Sequence, residues 1–167
     1  MSKFKRREQK INGTNDSQYT GIDLSLTGTG IVTLNENFDI LHEQLISTYP
    51  KTSIEKRIMT IVEGICNNKL QFINIEGLAF GARGQRMLEL GGLHYHCRIE
   101  LSKQNLEYQI TEPGVLKKFV TGKGNAKKEL MLMKVFKKWG VEFEDNNLCD
   151  AYCLARMIVE KNNEPND

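Results

Sequence analysis

Apolar and polar positions alternate along Tyr19 to Leu26: Ile22, Leu24 and Leu26 share one strand face, Asp23 and Ser25 the other. Strand-like runs recur over Gly30 to Leu34 and Phe38 to Thr48. The short breaks at Thr27–Gly28–Thr29 and Asn35–Glu36–Asn37 suit hairpin turns, so three antiparallel strands are expected. The period then changes. Ile54, Ile58, Ile61 and Ile65 recur at helical spacing behind Thr52-x-x-Glu55, which reads as a capping box opening a helix to about Asn67. Gln71 to Glu76 is a fourth strand, with Ile73 and Ile75 opposite Phe72, Asn74 and Glu76. Arg83 to Lys103 is a long helix despite Gly91–Gly92, a pair that points to close packing or entry of a ligand. Glu107 to Ile110 is a fifth strand. Thr111-Glu112-Pro113 opens a helix to about Val120, which Thr121 to Gly124 ends. Ala126 to Trp139 and Leu148 to Lys161 are the last two helices.

Strands followed by alternating helix and strand imply an α/β fold, a mixed five-stranded sheet flanked by helices. A right-handed crossover sets the 71–76 strand parallel to and beside the first, which brings Asp23 and Glu76 to neighbouring positions. The pattern divides the chain into a flexible basic arm (1–18), one domain (19–160) and a polar tail (161–167).

A length of 167 residues fits a single domain with one sizeable core, and 40% hydrophobic against 26% charged residues is the balance of an ordinary globular chain. No apolar run approaches the roughly 18 residues of a membrane span. The basic N-terminus has no apolar stretch behind it and does not read as a secretory signal. Cys66, Cys97, Cys149 and Cys153 form no C-x-x-C pair, which points to reduced thiols and a cytoplasmic protein. His94-x-His96-Cys97 lies on the helical stripe Met87, Leu90, His94, Cys97 and Leu101. It reads as packing, since no second pair has zinc spacing.

Charge is unevenly placed. Eight lysines stand against the single acid Glu129 between Lys117 and Lys138, whereas Val141 to Asp150 holds Glu142, Glu144, Asp145 and Asp150 without a base. Such a division suits a protein that grips a polyanion and also holds cations.

Asp23 and Glu76 are each the odd carboxylate of an apolar strand. Asp150 follows Asn147 by three residues, so both lie on one helix face. Brought together without a counter-charge, three carboxylates repel and some take protons, a conflict that a hard divalent cation such as Mg²⁺ or Mn²⁺ removes. Singly, each has an ordinary explanation: a satisfied strand carboxylate, a turn residue, Asp145 to Asn147 as a helix cap, and Asp150 in a first turn favoured by the helix dipole.

The stretches "GIDLSLTGTGIV", "INIEGLAF", "PGVLKKFVTGKGNAKKEL" and "NNLCDAYCLARM" resemble, in this order, the bacterial and phage RuvC Holliday junction resolvases. Those proteins have a ribonuclease H-like fold. The resemblance covers about Tyr19 to Val159 and is that of a phage-type member. It implies a metal-dependent endonuclease that cuts four-way and other branched DNA with Mg²⁺, or Mn²⁺ in its place, leaving 5′ phosphate and 3′ hydroxyl ends, and that acts as a homodimer. The metal ligands it implies are Asp23, Glu76 and Asp150. The position of a fourth, acidic or histidine, ligand is held by Asn147, so a second metal is held weakly unless Asp145 contributes. The implied DNA contacts are Lys117 and Lys128 in "VLKKF" and "GNAKK", with Lys118, Lys123 and Lys127 beside them. The aromatic side chain that enters the junction centre falls near Phe80, one residue off the usual spacing.

Two rivals stand beside this. "GIDLSLTGTG" also resembles the phosphate-binding entry of sugar kinases and actin-like ATPases, but those chains are far longer and Gly122–Lys123–Gly124 lacks Walker A spacing. The amide at Asn147 also leaves open a protein that binds branched DNA without cutting it.

Overall fold

The computed structural model describes residues 17–78 and 84–164. Phe80, nearly all of the basic arm and the last three residues lie outside the described residues. The elements are β1 (Tyr19–Asp23), β2 (Gly28–Leu34), β3 (Ile40–Ser47), α1 (Ile54–Cys66), β4 (Phe72–Glu76), α2 (Gln85–Lys103), β5 (Tyr108–Thr111), α3 (Pro113–Thr121), α4 (Lys128–Trp139) and α5 (Asn146–Asn163). The five strands form one mixed sheet in the order β3-β2-β1-β4-β5. β1 and β3 run antiparallel to β2, while β4 runs parallel to both β1 and β5.

Each face of the sheet has its own core. Ile22, Ile31, Ile73 and Ile75 project to one side, where Ile61 and Ile65 of α1 and Leu93, Cys97 and Leu101 of α2 cover them. Tyr19, Val32 and Leu34 project to the other, against α3, α4 and above all α5, whose Tyr152, Leu154 and Val159 are fully enclosed. Each large apolar side chain so buried contributes about 1.5–3 kcal/mol. Asp23 and Glu76 belong to the α5 side, because side chains alternate and their neighbours Ile22 and Ile75 point to the α1–α2 side.

α5 lies unusually close to the strands, and two glycines are the reason. A Cβ on Gly21 would overlap the Ala151 carbonyl and come within 2.6 Å of the Ala155 nitrogen. A Cβ on Gly30 would overlap the Asn147 carbonyl and come within 2.9 Å of the Leu148 nitrogen. Glycine inside a strand weakens it, and here the absent side chains are what admit a second backbone. Ala151 and Ala155, one turn apart, present the matching small face.

Several boundaries differ from the sequence expectation. β1 ends at Asp23 rather than Leu26 because Thr29 Oγ1 accepts from Ser25 N at 3.1 Å and donates to Ser25 O at 2.8 Å, closing a turn where the ladder would continue. The capping box does not form. The N-cap of α1 is Ser53, without a side-chain cap bond, so Glu55 is one position short of the place from which it would reach back to the cap. Gly91 has nothing near it, and Gly92 makes only an ordinary contact of 3.6 Å with Ile58, so neither marks a tight approach. α5 starts two residues earlier than expected and runs to Asn163, into the segment read as tail. No helix among the described residues is long and apolar enough to cross a membrane.

His94 and Cys97 sit in the α1–α2 core. Burial, with Arg98 adding to it, pushes the imidazole down to about 4, and burial pushes the Cys97 thiol up to about 12, so both stay neutral at physiological pH.

Candidate metal centre

Asp23 ends β1, Glu76 ends β4, and Asp150 comes from the N-terminal part of α5. The parallel β1–β4 register sets Ile22 beside Ile75, so the next residues, Asp23 and Glu76, leave the sheet side by side. α5, seated on Gly21 and Gly30, carries Asp150 over them. One carboxylate oxygen from each of the three residues lies within 4.8 Å of the others. Asp23 is buried and the other two are half-buried.

Three acids this close oppose one another's ionisation. Burial, then the charge of Glu76 and its hydrogen bond, then Asp150, hold the Asp23 carboxyl well above the usual range. Burial also raises Glu76, against the pull of its hydrogen bond from Asp23 and of Lys117 and Lys128. Asp150 is pushed up to about 7, first by burial and then by Glu76, with Lys128 and Lys117 opposing. Without a bound cation, burial and mutual repulsion therefore oppose ionisation of all three carboxyls. The ion pairs among the described residues are Lys103–Glu100 and Arg156–Glu160, so none neutralises the trio by contact. An all-oxygen, anionic, unpaired set of this kind fits a hard divalent cation.

The other candidates fall into place less evenly. Asp145 caps α5: its Oδ1 accepts from Asn147 N at 2.8 Å and from Leu148 N at 3.2 Å. It stands outside the carboxylate cluster and acts on it through charge, raising Asp150. Asn147 lies one turn before Asp150, its amide nitrogen 3.2 Å from where a Cβ on Gly28 would sit. The first turn of α5 holds no acid, so the helix-dipole explanation for Asp150 falls. Lys117 on α3 and Lys128 at the start of α4 come near enough for their charge to reach Glu76 and Asp150. Lys118, Lys123 and Lys127 are exposed on the same α3–α4 segment. Phe80 lies outside the described residues.

The residue pattern did not single out Asn74, Gly21 or Gly30 as parts of the site. The signals were present: a glycine inside an apolar strand, and an amide on the same strand face as Glu76.

No protein-family model matches the chain. Over 154 residues it is 26% identical to the crossover junction endodeoxyribonuclease RuvC of Brachyspira hyodysenteriae, covering 88% of this chain and 96% of that one. The RuvC of Chloroherpeton thalassium is 28% identical over 135 residues, covering 78% of this chain and 73% of the other. Among solved structures, Thermus thermophilus RuvC in complex with a Holliday junction substrate superposes with a TM-score of 0.67 at 18% identity, over 83% of this chain and 90% of that one. The fowlpox virus resolvase in complex with Holliday junction DNA gives 0.61 at 11% identity, over 89% and 100%. The fold is thus ribonuclease H-like, and the chain is related to the RuvC/resolvase superfamily.

Proposed function

From this relationship, we propose that the protein is a divalent-metal-dependent endonuclease that resolves four-way DNA junctions and cuts related branched DNA. One observation carries the reading: Asp23, Glu76 and Asp150, drawn from three separate elements, meet in an unpaired carboxylate trio flanked by the lysines of α3 and α4. The trio would hold Mg²⁺, with Mn²⁺ able to replace it. When bound, such ions would supply the charge that stabilises the attacking water and the leaving 3′ oxygen of an in-line displacement. Products with 5′ phosphate and 3′ hydroxyl ends follow.

The remaining work falls to the chain. Lys117 and Lys128 bind the phosphates on either side of the scissile bond and orient it over the trio, while Lys118, Lys123 and Lys127 hold the flanking duplex. Asp145 fixes the first turn of α5 and hence the aim of Asp150. Phe80 is the aromatic side chain offered to the open junction centre. A four-way junction has two-fold symmetry, so a homodimer places two sites on opposite strands. The exposed Leu88, Tyr95 and Ile99, which recur along one side of α2, are the surface proposed for it. A phage-type protein acting in the host cytoplasm is the setting that fits.

The test is cleavage and binding of a synthetic four-way junction, with Mg²⁺ and with Mn²⁺. Asp23→Asn, Glu76→Gln and Asp150→Asn should each abolish cutting and leave binding largely intact, because affinity comes mainly from phosphate contacts. Asn147→Asp should lower the Mg²⁺ needed for half-maximal cutting, since it adds a charged oxygen beside the trio. Robust cutting by any of the first three variants removes that residue from the site. Binding without cutting by the wild-type protein would favour a junction-binding role instead.

A further inference from the structure

Asn74 lies two residues before Glu76, on the same face of β4, and its side chain is wholly enclosed. A strand face covered by a helix favours an apolar residue, and an amide is tolerated there only when it is bonded at both ends. Asn74 is bonded at both. Its Nδ2 donates to the Leu154 carbonyl at 3.0 Å, and its Oδ1 accepts from Thr111 Oγ1 at 2.8 Å. A carbonyl can only accept, which fixes the end of the amide that faces α5.

The placement gives this bond a consequence. Leu154 lies one helical turn beyond Asp150, and Asn74 one strand repeat before Glu76. The bond between them therefore runs alongside the approach of Glu76 to Asp150, offset by one repeat on each element. Thr111 closes the third side. It pairs with Glu76 across the β4–β5 ladder, and its carbonyl accepts from Gly77 N at 2.8 Å. One buried network thus ties α5, β4 and β5 together beside two of the three carboxylates. Apolar contact alone lets a helix slide or roll over a sheet. A buried amide bonded on both sides resists that, because any shift leaves a polar group unpaired.

We infer that Asn74, held by Thr111, is a positioning residue that sets the spacing of Glu76 and Asp150 and through it the divalent-cation affinity of the site. The inference rests on the metal-site reading above. Partners that orient metal ligands from behind typically change affinity by about 10–100-fold when removed.

The experiment is Mn²⁺ titration of the DNA-free protein, followed by electron paramagnetic resonance, beside thermal unfolding without metal. Thr111→Val removes only the hydroxyl, Thr111→Ser keeps it, and Asn74→Leu removes the amide at similar volume. Thr111→Val and Asn74→Leu should weaken Mn²⁺ binding by about tenfold or more, and Thr111→Ser should bind as the wild type does. If Asn74→Leu does not fold, Thr111→Val still decides the question. Wild-type Mn²⁺ affinity in Thr111→Val, even with a lower melting temperature, would overturn the inference and leave a purely structural bond. So would equal losses in Thr111→Val and Thr111→Ser. If the wild-type protein itself fails to bind Mn²⁺, the metal site falls and this inference with it.

Discussion

Asp150 is where the cost of gathering three acids is easiest to measure. Its carboxyl rises from an ordinary 3.8 to about 7, chiefly through burial and then through Glu76. A carboxyl whose folded value lies above its unfolded one stabilises the fold while protonated. Its contribution is complete below the unfolded value and is lost as pH climbs through the folded one. Metal-free protein should therefore lose stability between about pH 4 and pH 7, and Asp150→Asn should lose less of it. Added Mg²⁺ should raise the melting temperature more at the alkaline end, where the ligands are ionised. Thermal unfolding of both proteins in chelator and in Mg²⁺ checks this. A wild-type protein that grows more stable over this range relative to Asp150→Asn would contradict the assigned environment.

Among the elements, α5 matters most, since its height above β1 and β2 decides whether Asp150 reaches Asp23 and Glu76. Gly21 and Gly30 set that height. Gly21→Ala and Gly30→Ala should each destabilise the fold by about 1–3 kcal/mol or more, because the new methyl meets helix backbone that has no room to yield. Both should also cut poorly in the junction assay. Gly91→Ala makes the contrast: it lies within α2 with nothing near it, so a methyl there should stabilise by about 0.5–1 kcal/mol. Urea unfolding of the three variants reads the sign directly. Equal effects at all three positions would mean that the close seating of α5 is not what these glycines provide.

The division of charge governs the molecule as a whole. Lysines crowd α3 and α4 while acids collect in the segment leading into α5, a division suited to drawing a polyanion to the lysines and up to a cation on the proposed carboxylate site. Junction affinity should fall steeply with salt, each neutralised phosphate contributing about 0.9 to the log–log slope. Lys117→Ala and Lys128→Ala should each flatten that slope by about one. Unchanged slopes would move the DNA to another surface. The proposed homodimer is tested at the same scale: replacing Leu88, 77% exposed on α2, by Glu should shift sedimentation toward the monomer. A wild-type protein that sediments as a monomer would remove the two-fold mode of cutting.

Order, type and pairing of the elements follow from the chain's own periodicity. Alternation of two marks the strands, the recurrence Ile54, Ile58, Ile61, Ile65 marks α1, and the crossover rule sets β4 beside β1 in the observed parallel register. These are local properties, carried by neighbours in sequence, and they already brought Asp23 and Glu76 together. Asp150 could be placed on a helix but not over the sheet, because its distance from Asp23 depends on Gly21 and Gly30 meeting α5 across more than a hundred residues of chain. The early end of β1 is instead a local choice among several acceptable patterns, made by the Ser25–Thr29 bonds four residues apart. The buried bonds of Asn74 and the raised titration of the carboxylates were decided by tertiary structure. Burial and charge proximity act through space, and only the folded chain sets those distances.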